Sequence, residues 1–247
     1  CDDAVIVLQS VGSEAAASLL YSSLSAGECP CAAQVMVALA ERRPGTATDI
    51  YMKRYLGGND AERAAALFAI ASTGAPEAAE ILIDAATAAS FRRDPTGAVQ
   101  ALLLYAKKIG LSGEVKKMER IASQVIDASR EQDAASQRLA AMSVIAEVKG
   151  SDALGMLLEA ADDPDLAIRG GVLRLAAGIP GSDVTKKWIN RYAKVSDAAK
   201  PEILFMLGER GDELAVPLMM KALDGPSHEV SAGAVTALAR LQGIRAV

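Results

Sequence analysis

The sequence predicts an all-α fold of about seven helix pairs followed by a terminal helix, and three observations predict it. First, alanine supplies 49 of the 247 residues while aromatic residues supply only 4%. That composition suits closely packed helices and argues against sandwiches and barrels, whose strands favour β-branched and aromatic side chains. Second, a glycine that closes an apolar stretch recurs at Gly12, Gly45, Gly74, Gly113, Gly150, Gly181, Gly211 and Gly243, with spacings of 33, 29, 39, 37, 31, 30 and 32 residues. Such self-similarity marks a repeat architecture. Third, short polar clusters precede the apolar-periodic stretches: Asn59-Asp60, Asp94-Pro95, Asp133, Asp163-Pro164-Asp165, Ser196-Asp197 and Asp224-Gly225-Pro226-Ser227. Their side chains accept hydrogen bonds from the free amides of a first turn, where proline is also tolerated.

Each unit therefore reads as a first helix, a tight turn at the glycine, a second helix and a short Asp/Pro loop. The glycine permits the left-handed backbone that stops the first helix. First helices are expected near 2–11, 31–42, 60–73, 95–109, 134–148, 165–178, 197–209 and 227–242. Second helices are expected near 13–25, 46–56, 76–89, 113–129, 151–161, 182–194 and 212–223. Seven residues beyond six of the glycines stands a large apolar residue, namely Leu19, Met52, Ile81, Leu157, Trp188 and Leu218. After Gly113 the same offset falls on Arg120, and Met118 or Ile121 must serve instead. The two long units, Gly74 to Gly113 and Gly113 to Gly150, are expected to lengthen their second helices and the loop at Phe91-Arg92-Arg93-Asp94 without adding a subdomain.

The period, the Asp-Pro helix start, the arginine in Asp165-Leu166-Ala167-Ile168-Arg169 and the alanine-rich stretch from Ala232 to Leu238 resemble HEAT-like repeats. The subtype is the short one named after phycobilin lyases, whose recurring arginine is matched by Arg63, Arg138 and Arg169. The resemblance covers nearly the whole chain. It implies a right-handed α-α superhelix, an armadillo-type solenoid, with residues 1–247 as one domain and the second helices lining its concave face. It implies no particular activity, because a fold does not fix a function.

The residues exclude several chemistries. The single histidine, His228, cannot supply the repeated His-Glu pairs of the di-iron hydroxylases that resemble this fold. It also lies far along the chain from Cys29 and Cys31, so a Cys-His pair is not expected. Three cysteines and one histidine do not make a structural zinc site, and Cys29-Pro30-Cys31 lacks the usual two-residue spacer. Cys29 and Cys31 are expected as small semi-buried thiols, with a Cys1–Cys29 or Cys1–Cys31 disulfide as the alternative for an exported parent. A net charge of -5 disfavours a nucleic-acid binder of the DNA-glycosylase kind. No apolar run reaches the ~20 residues of a membrane span. Asp162-Asp163 reads as a helix cap, and nothing independently supports a tetrapyrrole site.

What remains is a surface. Tyr51, Lys53, Arg54 and Tyr55 cluster on one second helix, and Lys186, Lys187, Trp188, Arg191 and Tyr192 on another. Tyr, Trp and Arg are common interface anchors, and spacings of three and four residues share a helix face. Tyr51, Arg54, Tyr55, Lys187, Trp188 and Arg191 are thus the candidate binding residues, although Trp188 occupies the position of Leu157 and Leu218, which favours the core. The expected function is a non-enzymatic protein-binding or scaffolding module of bacterial type, without cofactor or metal, acting on a protein or peptide as a monomer. The alternative is an accessory repeat region of a larger carbohydrate-active or tetrapyrrole-modifying enzyme. The start at Cys1 and the end within an apolar helix are expected to reflect a piece of a longer protein.

Overall fold

A computed structural model of the chain describes residues 5, 13–26, 29–42, 47–131 and 134–245. Every regular element among them is helical. The chain divides into two compact units, Cys1–Gln137 and Arg138–Val247.

The first unit contains α1 (Glu14–Ser25), α2 (Ala32–Arg42), α3 (Thr48–Gly57), α4 (Asp60–Thr73), α5 (Ala78–Ala88), α6 (Ala98–Leu111) and α7 (Val115–Glu131). Helix α8 (Ala135–Lys149) begins at its boundary and continues into the second unit. The second unit continues with a 3-10 turn at Gly150–Ala153, α9 (Leu154–Ala160), α10 (Leu166–Gly178), α11 (Ser182–Tyr192) and α12 (Lys200–Arg210). A 3-10 turn at Glu213–Ala215, α13 (Val216–Leu223) and α14 (His228–Arg245) complete it. Even-numbered helices are the first helices of the sequence repeat and odd-numbered ones the second. The described helices match the expected ones in order and number, with ends displaced by a few residues. The expected helix at 2–11 lies outside the described residues, apart from a buried, helical Val5.

Local chemistry sets the ends. Asn59 forms a capping box on α4: its side chain accepts from the Glu62 amide at 3.0 Å, and the Glu62 carboxylate accepts from the Asn59 amide at 3.2 Å. Asp94 accepts from the amides of Thr96 and Ala98 at 2.9 and 3.0 Å ahead of α6, and Asp165 accepts from Ala167 at 2.8 Å on α10. At the other end, Gly74 and Gly211 both stop their helices at φ 66, a left-handed backbone that costs glycine little. Gly243 does not act this way, because α14 runs through it to Arg245. Gly12 and Gly45 lie outside the described residues.

First helices pack on first helices: α2 on α4, α4 on α6, α10 on α12 and α12 on α14. Each second helix from α3 to α13, α7 excepted, also packs on the first helix that follows it. The alanine content serves this arrangement. Ala66, Ala69, Ala71, Ala106, Ala176, Ala234 and Ala237 are fully buried between helices, where larger side chains would hold the backbones apart. The approach is closest between α12 and α14. A Cβ built on Gly208 would lie 2.8 Å from the Cα of Ala237, and one on Gly233 3.0 Å from the Cα of Pro201.

The offset of seven residues from glycine does not mark the core uniformly. Leu157 and Trp188 are fully buried, but Leu19 is 57% exposed, and Met52, Ile81 and Leu218 are only half-buried. The turn after glycine explains this. The second helix begins at Ser182, one residue after Gly181, but at Ala78, four residues after Gly74, and only after a 3-10 turn beyond Gly150 and Gly211. A fixed offset therefore falls at different angles around the helix. Leu20, Tyr51, Leu82 and Met219 take the inward position in those units.

The two long units spend their extra residues differently. In the first, α5 has only 11 residues and the excess lies in the loop to α6, where Ser90 and Phe91 adopt φ 52 and 54 and Phe91 turns inward. In the second, α7 extends to 17 residues. No strand occurs among the described residues between 85 and 131.

Candidate interaction surface

Of the predicted cluster on α3, Tyr51 belongs to the core. It is fully buried, its hydroxyl has no hydrogen-bond partner among the described residues, and burial pushes its pKa to about 12. Trp188 on α11 is likewise fully buried with an unpartnered Nε1. Tyr51 was expected on the binding face and the helix register corrects this, while Trp188 takes the core position that its alignment with Leu157 and Leu218 favours. Tyr51 is the fourth residue of α3 and Trp188 the seventh of α11, positions that share the inward side of their helices.

The remaining candidates stay accessible, to different degrees. Tyr55 is half-buried and Lys53 exposed. Arg54 is half-buried and its Nη1 donates to Glu62 Oε1 at 3.0 Å, so the carboxylate that caps α4 also ties α3 to it. On α11, Lys187 is exposed and Arg191 half-buried, with its Nε enclosed and unpartnered. Lys186 pairs with Asp183 across one turn at 3.0 Å. The two clusters lie in different units.

Grooves run between consecutive second helices. One of about 470 Å³ lies between α1 and α3, lined by Tyr21, Leu24, Ile50, Lys53, Arg54 and Glu62. A second, of about 440 Å³, brings Tyr55 and Leu56 of α3 together with Arg63, Ala85, Ala88 and Asp94. A third, of about 310 Å³, separates Ile189 and Tyr192 of α11 from Leu218 and Lys221 of α13, with Lys200 and Val230 at its edge. Lys200 pairs with Asp197 at 2.6 Å and stands 5.8 Å from the centre of the Tyr192 ring. Its pKa is raised, chiefly by the hydrogen bond to Asp197, while burial raises that of Tyr192. Past the same end of α11, Asp162 accepts from the Ser196 hydroxyl at 2.6 Å, and this bond, aided by Arg191 and Arg169, holds its carboxyl below the ordinary value.

The arginines matched to the repeat do three different things. Arg138 Nη2 meets Asp163 Oδ1 at 3.0 Å, and Asp163 in turn offers its carbonyl to Arg169 Nη1 at 3.1 Å. Arg169 grips Glu202 with a fork, Nε to Oε2 at 3.1 Å and Nη2 to Oε1 at 3.0 Å. Arg63 instead lines the groove that also contains Asp94.

Two features escaped the sequence. The first helices are not bland: an apolar groove of about 430 Å³ opens on α10, α12 and α14, lined by Gly170, Leu173, Arg174, Phe205 and Gly233. Phe205 is 38% exposed there, and the Arg240 guanidinium lies 4.6 Å from its ring centre. The second is a clamp at the helix ends. Arg210, next to the glycine that ends α12, donates to the carbonyls of Ala176 at 2.7 Å, Ile179 at 2.6 Å and Gly181 at 3.1 Å, and to Thr185 Oγ1 at 3.1 Å. In the first unit Lys108 of α6 likewise donates to the Ser72 carbonyl of α4. The cations that precede the repeat glycines carried this signal, since Arg and Lys satisfy the last carbonyls of a helix.

Among the described residues, no group of three or more His, Cys, Asp or Glu is placed to hold a metal ion, and no helix is long and apolar enough to cross a membrane. Cys29 is free as expected, but Cys31 is disulfide-bonded, which corrects its expectation as a thiol; Cys1, the partner in the alternative disulfide reading, lies outside the described residues. His228 begins α14 in an exposed position. No protein-family model matches the chain, and no curated protein matches it.

Proposed function

We propose that the chain is a HEAT-like, right-handed solenoid that binds a protein or peptide along its second helices. The observation that carries this reading is the placement of the grooves between consecutive second helices, α1 and α3, α3 and α5, and α11 and α13. These grooves are shallow and repeated, which suits an extended partner better than a small substrate held in one deep pocket. Tyr51 and Trp188 contribute from beneath: they anchor α3 and α11, so Lys53, Tyr55 and Lys187 stand on a rigid support. The binding role is non-enzymatic scaffolding.

Photo-crosslinking tests the choice of face. A photoreactive residue replacing Lys53 or Lys187 is expected to capture the partner, while one replacing Arg174 or Thr236 on the first helices is not. Capture confined to the first-helix positions would transfer the function to the groove around Phe205.

A further inference from the structure

In the second unit, α11 and α13 are cationic in a chain whose net charge is -5. Residues 183–194 and 216–223 carry five cations, Lys186, Lys187, Arg191, Lys194 and Lys221, against one carboxylate, Asp183. Three of the carboxylates around them are engaged, while Asp224 at the end of α13 is exposed. Asp183 holds Lys186, Asp197 holds Lys200, and Asp162 accepts from Ser196. Lys187, Lys194 and Lys221 are exposed and have no hydrogen bond or ion pair among the described residues. The groove between α11 and α13, lined by Lys221, presents Ile189, Tyr192, Leu218 and Val230, with the Lys200–Asp197 pair on its wall. Unpaired Lys221 thus borders an apolar slot, with Lys187 on α11 and Lys194 just past its end adding further positive charge. The second helix α5 of the other unit has the opposite sign, with Glu80 and Asp84 exposed and no cation.

We infer that this face, α11 with α13, docks an acidic segment of a partner protein, one that alternates carboxylates with apolar side chains. The inference rests on the proposed second-helix binding role and supplies the chemistry of the partner. The carboxylates meet Lys187, Lys194 and Lys221, and an apolar side chain enters the groove beside Tyr192. Opposite charges at such a rim steer encounter and select the partner, and their effect falls with salt. Phosphate-bearing nucleic acid would meet the same lysines, but it has no apolar side chain for the groove.

Fluorescence anisotropy on the full chain decides it. The probe is a labelled dodecapeptide repeating Glu-Glu-Leu, compared with one repeating Lys-Lys-Leu and with a thymidine 20-mer. The acidic peptide is expected to bind at low salt and to be lost by about 0.5 M salt. The triple variant Lys187→Glu, Lys194→Glu, Lys221→Glu, with its helicity and melting temperature unchanged, is expected to weaken it by about ten-fold or more. Replacing Arg174 of α10, on the first-helix face, by Glu is expected to leave it unchanged. Equal binding by the triple variant, preference for the basic peptide or the thymidine strand, or no acidic binding would each overturn the inference. If crosslinking at Lys187 still captures a partner in that event, the second-helix role stands and only the chemistry assigned here fails.

Discussion

Arg169 and Glu202 form a two-point contact between α10 and α12, with both guanidinium-to-carboxylate distances at 3.0–3.1 Å. The arginine side chain is 10% exposed and the glutamate 32%. Removing one partner strands a charge that solvent only partly reaches. Glu202→Ala is expected to lower stability by about 1–2 kcal/mol in urea unfolding, below the value for a fully buried pair because Glu202 remains wetted. A double replacement, Arg169→Met with Glu202→Met, should lose less than Glu202→Ala; an equal or larger loss would mean the pair contributes net stability of its own.

Two glycines in neighbouring helices should respond in opposite directions. Gly208→Ala drives a methyl into the Ala237 backbone at 2.8 Å and is expected to cost about 1–3 kcal/mol by forcing α12 from α14. Gly170→Ala meets nothing within 4 Å on the exposed side of α10 and is expected to gain about 0.5–1 kcal/mol from higher helix propensity. Thermal melts of the two variants check both signs.

The period, the helix order and most helix starts were legible because they depend on local chemistry: a left-handed cap at Gly74 or Gly211, a capping box at Asn59 and Glu62, an Asp cap at Asp165. Which side of a second helix faces inward was not. It depends on the length of the turn after the glycine, and a shift of one to four residues rotates Leu19 outward and Tyr51 inward. The pairing of Arg54 with Glu62 and the exposure of Phe205 were illegible for a related reason, since each depends on how neighbouring helices pack. For the candidate surface, Lys53 and Lys187 stand at exposed helix positions, whereas Tyr51 and Trp188, named beside them, belong to the core.

Trp188 offers a direct check of that correction. As the only tryptophan, and fully buried, it should emit at short wavelength and resist quenching by iodide. Addition of the acidic dodecapeptide should leave its spectrum in place. Trp188→Ala is expected to cost about 3–5 kcal/mol, the range for emptying a large core site.

Acid should loosen the loop between α9 and α10. The Asp162 carboxyl is held below its ordinary value of 3.8, chiefly by the Ser196 hydroxyl. A depressed carboxyl stabilises the fold above 3.8, and the contribution is lost as pH falls through its lower folded value. The difference in melting temperature between the native chain and Asp162→Asn should therefore be largest near neutrality and close as the medium is acidified. A difference that is constant with pH would assign the effect to packing instead.

The Arg210 clamp means that helix ends in this chain are not private. Arg210 belongs to the last turn of α12, but the carbonyls it covers belong to the end of α10 and the turn that follows. Fraying of α12 withdraws the cation and leaves those carbonyls uncovered, so breathing at one terminus propagates to the first helix before it. Lys108 and Ser72 connect α6 to α4 in the same direction. Loosening either end of such a contact thus loosens the other, linking first helices two places apart along the chain.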